Sequence, residues 1–109
     1  MAIQIIQTEE KLIYEAEDSK IFYRRISTLK RGTIVKRHTK RGKTDWNAVT
    51  GSVLDYVIIG WENIQQAKKD IVFDQDLIMA LPEDTLTDIL ELSGGANPGM
   101  SDGEDQEKN

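Results

Sequence analysis

Ten of the fourteen basic residues of this 109-residue chain lie in one window: Lys20, Arg24, Arg25, Lys30, Arg31, Lys36, Arg37, Lys40, Arg41 and Lys43. No Asp or Glu falls between Lys20 and Lys43, whereas the rest of the chain sets all nineteen acids against four basic residues. A guanidinium is a planar fork of donors that pairs with carboxylate or phosphate through two hydrogen bonds at once. Arg24, Arg25, Arg31, Arg37 and Arg41 therefore mark a candidate protein-binding face, with arginine enriched at binding hot spots. The same block, interleaved with Phe22, Tyr23 and His38, has the ingredients to hold a nucleic-acid backbone. The isoelectric point of about 4.8 is far from the basic values of such domains, so nucleic acid ranks below protein as a partner. A third reading is a solvated helix face balanced by acids elsewhere in the same domain.

Reactive chemistry finds little support. Arg41-Gly42-Lys43-Thr44 ends like a phosphate-binding loop, but that motif needs a glycine where Arg37 stands and a buried strand leading in. His38 is the only histidine, so no histidine cluster is available for a metal, and a lone histidine on an amphipathic face reads as a boundary packing residue. There is no cysteine, which excludes disulfides and thiolate metal sites. Asp70, Asp74 and Asp76 lack the glycine and terminal glutamate of a calcium loop. Nothing singles out one pair of carboxylates as buried, so acid–base catalysis has no motif behind it. The expectation is a non-enzymatic protein with no catalytic residues, no metal and no cofactor.

The elements that would carry the basic block can be read from spacing. Ile3, Ile5 and Ile6 suggest a short strand, and Leu12-Ile13-Tyr14 either extends it or begins another. Lys20 to Ile26 is a stronger strand, preceded by the turn-like Glu17-Asp18-Ser19. From Ser27 the pattern becomes helical, with Ile34, Val35 and His38 on one face; Ser27 or Thr28 can cap it, and Gly42 can end it. Gly32 inside this helix weakens it by about 1 kcal/mol.

Asp45 is a fitting cap for a second helix whose Trp46, Val49, Val53 and Val57 recur at helical spacing beside Leu54 and Ile58. This central helix is expected to run to Gly60. There Gly60 permits a turn or a close backbone contact, and Trp61 supplies a structural anchor at the helix end. Trp61–Ile64 and Ile71–Phe73 flank a polar stretch and pair as a hairpin or serve as extended connections. Asp74 caps a third helix carrying Leu77, Ile78 and Leu81. Pro82, Glu83 and Asp84 begin a fourth, buried through Leu86, Ile89 and Leu90, with acids placed favourably for the macrodipole. Ser93-Gly94-Gly95 stops it. The fold class is α+β: a small N-terminal antiparallel β-hairpin or sheet packed on three to four α-helices.

Residues 95–109 carry one Met and one Ala as their only apolar side chains. Such a segment cannot offset an ordering cost of about 1–2 kcal/mol per residue. The expectation is one domain over residues 1–94 and a disordered acidic tail over 95–109. The first residues have neither the basic start nor the long apolar region of a signal peptide, and no apolar run approaches the ~20 residues of a membrane span. A cytoplasmic location is expected.

Taken together, Phe22-Tyr23-Arg24-Arg25, Arg41-Gly42, Gly60-Trp61-Glu62-Asn63-Ile64, Val72-Phe73-Asp74 and Leu81-Pro82-Glu83 resemble, in that order, the tail assembly chaperones of tailed bacteriophages and prophages. The resemblance covers roughly residues 1–92. It implies a non-enzymatic factor of the host cytoplasm that binds the long tape-measure protein and helps recruit tail-tube subunits. Related phage tail and connector proteins share similar phrases, so a structural virion component, such as a connector or tail-completion subunit, is the first alternative. A small nucleic-acid-binding regulator using segment 20–43 is the second. Oligomeric state is open.

Overall fold

Strand β5, Ile58–Glu62, is the junction on which the architecture turns: it continues directly from the central helix and closes the only three-stranded sheet among the described residues. A computed structural model describes residues 2–3 and 9–96. β1 (Leu12–Ala16) and β2 (Ser19–Tyr23) form an antiparallel hairpin, and β5 pairs antiparallel with β2, giving the order β1-β2-β5. Leu12-Ile13-Tyr14 thus belongs to the first described strand, while Ile5 and Ile6 of the suggested earlier strand lie outside the described residues.

The inner face of the sheet is set by Ile21 and Tyr23 on β2 with Ile58 and Trp61 on β5, all buried. Register pairs Ile21 with Trp61 and Phe22 with Gly60, then shifts so that Tyr23 meets Ile58. Ile59 is the extra residue of this bulge and is left partly exposed. Beyond Tyr23 the strand has ended, which is why Ile26 is buried although strict alternation puts it on the outer face.

The central helix α2, Trp46–Val57, stops three residues before Gly60. Val57-Ile58-Ile59 is compatible with either period, and strand pairing decides it: Arg24 N–H donates to Val57 O at 2.8 Å just where β2 arrives. Gly60 consequently makes no turn. It lies inside β5, where an added Cβ would stand 3.4 Å from Phe22 Cδ2, so the glycine serves close cross-strand contact. Trp61 is buried at 7% exposure, but it anchors a strand rather than a helix end. Asp45 does cap α2, accepting from Ala48 N–H at 3.2 Å, and Val49, Val53, Leu54 and Val57 are its fully buried stripe.

Helix α1, Thr28–Arg37, is capped by Ser27, which accepts from Lys30 N–H at 3.1 Å. It ends at His38 rather than at Gly42. The next residues form a tiny hairpin, β3 (Thr39–Lys40) with β4 (Lys43–Thr44), whose turn places Arg41 at φ 54 and Gly42 at φ 78. β-branched Thr39 and Thr44 share a 2.7 Å hydroxyl contact across it, and Thr39 also donates to Val35 O.

The polar stretch after Trp61 is itself a hairpin, β6 (Gln65–Gln66) with β7 (Lys69–Asp70), and Ile71 N–H donates to Ile64 O just below it. The expected third helix is a 3₁₀ segment, Gln75–Ala80, capped by Asp74. Leu81 lies beyond its end at φ −67, ψ 156, the extended conformation that a following proline imposes. Pro82 precedes α3, Glu83–Ser93, which buries Leu86, Ile89 and Leu90 and ends at Gly94 with φ 84.

One hydrophobic cluster unites these elements, with α1, α2 and α3 contributing Ile34, the α2 stripe and Ile89. Packing extends past residue 94: Gly95 is buried, its N–H donates to Leu90 O at 2.8 Å, and Ala96 packs against the core. The acidic segment expected to be disordered lies, from residue 97 onward, outside the described residues.

Candidate protein-binding surfaces

The five arginines singled out above do not form one uniform face. Arg24 is turned into the fold. Its Nε donates to Tyr56 O at 2.9 Å and its guanidinium lies 3.9 Å over the Tyr56 ring, so it staples the end of β2 to the end of α2. Lys30 reaches the same ring at 5.0 Å from the first turn of α1. Arg31 is half-buried, on the flank of α1 that also carries Val35 and His38. Arg25, Arg37 and Arg41 are exposed, as are Lys36, Lys40 and Lys43.

The exposed cations follow α1 from one end to the other. Arg25 precedes its cap, Lys36 and Arg37 occupy its last turn, and Lys40, Arg41 and Lys43 continue on the β3–β4 hairpin. A shallow depression at the far end is lined by Arg37, His38, Lys40, Lys43, Thr44 and Asp45. His38 and Ser52 share a 2.9 Å hydrogen bond there, tying α1 to α2, so the histidine sits at a helix boundary. Arg41-Gly42-Lys43-Thr44 is a strand–turn–strand and not the strand-to-helix loop that cradles phosphates. Among the described residues no group of three or more His, Cys, Asp or Glu side chains is placed to hold a metal ion. No helix among them is long and apolar enough to cross a membrane.

A second surface escaped the spacing argument. An open, mainly apolar cleft of about 280 Å³ runs between β5 and the 3₁₀ segment, lined by Trp61, Ile64, Ile71, Leu77, Leu81 and Pro82, with Ala80 and the two glutamines of β6 at its rim. Trp61 forms its back wall. The indole N–H donates to Ile71 O at 3.0 Å, and the ring meets Phe73 edge-to-face with centroids 5.0 Å apart. The cleft continues toward Tyr14, Ile21 and Thr85 through a neighbouring hollow that shares Ile64, Leu81 and Pro82.

Asn63 fixes one end of this region. At φ 59 it takes the left-handed conformation that asparagine tolerates better than most residues. Its Nδ2 donates to Asp18 O at 2.9 Å, while Ser19 Oγ donates to Asn63 O at 2.8 Å. The β1–β2 turn and the end of β5 are thus clipped together by reciprocal bonds. At the other end, Tyr14 OH donates to Asp88 Oδ2 at 2.7 Å, joining β1 to α3. That bond, with burial, raises the Tyr14 pKa above its ordinary value.

The signal for the cleft was present in the chain as separated phrases. Gly60–Ile64, Val72–Asp74 and Leu81–Glu83 are each too short to specify a site, and only the β6–β7 hairpin and the 3₁₀ turn bring them together. The chain gives no significant match to any protein-family model, curated protein or solved structure.

Proposed function

We propose that this chain is a non-enzymatic tail assembly chaperone of a tailed bacteriophage or prophage, binding a segment of the tape-measure protein. The observation that carries the reading is the convergence of motifs on one cleft. Trp61 and Ile64 come from the Gly60–Ile64 phrase, and Leu81 and Pro82 from the Leu81–Glu83 phrase. Phe73, from the third, buttresses the Trp61 wall. Two of the five segments that carry the resemblance therefore line one opening and a third backs it, a placement that supports a binding role.

The cleft suits an apolar side chain or two from a partner segment. It is walled by an aromatic ring and aliphatic side chains, and the glutamine rim offers hydrogen bonds for orientation. The exposed cations along α1 supply a second, electrostatic element that favours an acidic partner and speeds its encounter. Co-expression with the tape-measure protein of the genome that encodes the chain tests the reading. Co-purification of the two proteins is the expected result; a tape-measure protein that never co-purifies, at any salt concentration, overturns it.

A further inference from the structure

The C-terminal end of α3 returns to the start of α1. Ile26 N–H donates to Ser93 O at 2.9 Å, and a Cβ on Gly95 would stand 3.6 Å from Ile26 Cγ2. Ala96 therefore lies just beyond Ser93, which is bonded to Ile26, the residue before the cap Ser27 of α1. Residues 97–109 set four carboxylates, Asp102, Glu104, Asp105 and Glu107, against one cation, Lys108. They thus begin beside the start of the basic helix.

Reach and charge both favour a contact. Six extended residues from Ala96 to Asp102 span about 20 Å, and the ten residues of α1 rise about 15 Å, so the first carboxylate can reach either end of the helix. No acid occurs between Lys20 and Lys43 to repel the segment. The alternative landing place, α3, presents exposed Glu83, Asp84, Asp88 and Glu91 and repels it. Individual exposed ion pairs are weak, but a tether this short gives an effective concentration in the millimolar range, enough to populate a contact that separate molecules would not sustain.

We infer that residues 97–109 are an intramolecular, salt-sensitive occupant of the basic face of α1. The contact is independent of the tail-assembly reading, and each survives failure of the other.

The test compares the full chain with its Asp102→Asn, Glu104→Gln, Asp105→Asn, Glu107→Gln variant by backbone amide spectra at about 50 mM and about 1 M salt, where screening lengths fall from above 10 Å to about 3 Å. At low salt the amides of residues 25–37 should differ between the two proteins while those of α3 coincide, and the difference should vanish at high salt. A synthetic hexaglutamate peptide should bind the variant about fivefold more tightly than the parent at low salt, because its site is no longer occupied. Coincident low-salt spectra with equal peptide affinities overturn the inference. So do differences in residues 25–37 that disappear on dilution, which would place the segment on a second molecule.

Discussion

Removing the Trp61 indole should cost about 3–5 kcal/mol, the usual loss for truncating a large buried aromatic. The ring has two further attachments beyond burial, the hydrogen bond to Ile71 O and the edge-to-face contact with Phe73. Trp61→Ala should therefore also release the 71–73 segment; a melting temperature unchanged within error contradicts the anchor. Trp46, 41% exposed at the start of α2, should cost much less. Tyr14 offers a test by pH. Its pKa is raised from 10.0, first by the bond it donates to Asp88 and then by burial. The neutral phenol is the form the fold favours, so its contribution is complete below the unfolded value and is lost as pH rises through the higher folded value. Tyr14→Phe should lower the neutral melting temperature modestly, by the loss of this exposed bond, and lessen the further fall above pH ~10. Equal alkaline slopes in both proteins would show that the bond carries no stability.

Two glycines, one inside a helix and one after a helix, should respond in opposite directions. At Gly32 an added Cβ meets nothing within 4 Å. Gly32→Ala in α1 should therefore stabilise the protein by about 0.5–1 kcal/mol through helix propensity. At Gly95 the same methyl would collide with Val53 Cγ1. Gly95→Ala should destabilise by about 1–3 kcal/mol, since α2 or the chain must move. Thermal melts of both variants decide; a harmless Gly95→Ala would mean that residues 95–96 do not pack on α2. At this scale the helices with wide apolar stripes, α2 and α3, were legible from spacing, and the α1 cap was narrowed to Ser27 or Thr28, of which Ser27 is the one used. The ends were less so. Val57-Ile58-Ile59 fits helix and strand equally, and only pairing with β2, which is remote in sequence, ends the helix at Val57. Arg41-Gly42 marked a stop in the chain, but whether it caps a helix or turns a hairpin depends on Thr39 meeting Thr44. Asp74 was readable as a cap, but the segment it opens, Gln75–Ala80, is a 3₁₀ helix that ends where Leu81 turns extended before Pro82.

Across the whole molecule, the α+β architecture was readable because it follows from local periods, and the basic window was readable because charge is printed in the sequence. Which cations face outward was not. Arg24 is consumed by Tyr56, a residue on another element, and nothing near Arg24 in sequence announces that pairing. The cleft was hidden for the same reason, since its walls come from β5, the segment after β7 and the turn before α3. On the proposed reading, the apolar cleft takes a partner segment and the basic face speeds its encounter in a salt-dependent way. Arg25, Arg37 and Arg41 replaced together by Gln should leave the melt nearly unchanged and slow association, most visibly at low salt. The most direct measurement is the dissociation constant for the purified tape-measure protein, compared between the parent and Ala80→Arg. Ala80 is exposed at the rim of the cleft, so the larger side chain should obstruct the opening without disturbing the core. The parent should bind, and the variant should lose at least about tenfold in affinity, or ~1.4 kcal/mol, at an unchanged melting temperature. Equal affinities for the two proteins would contradict the proposed reading.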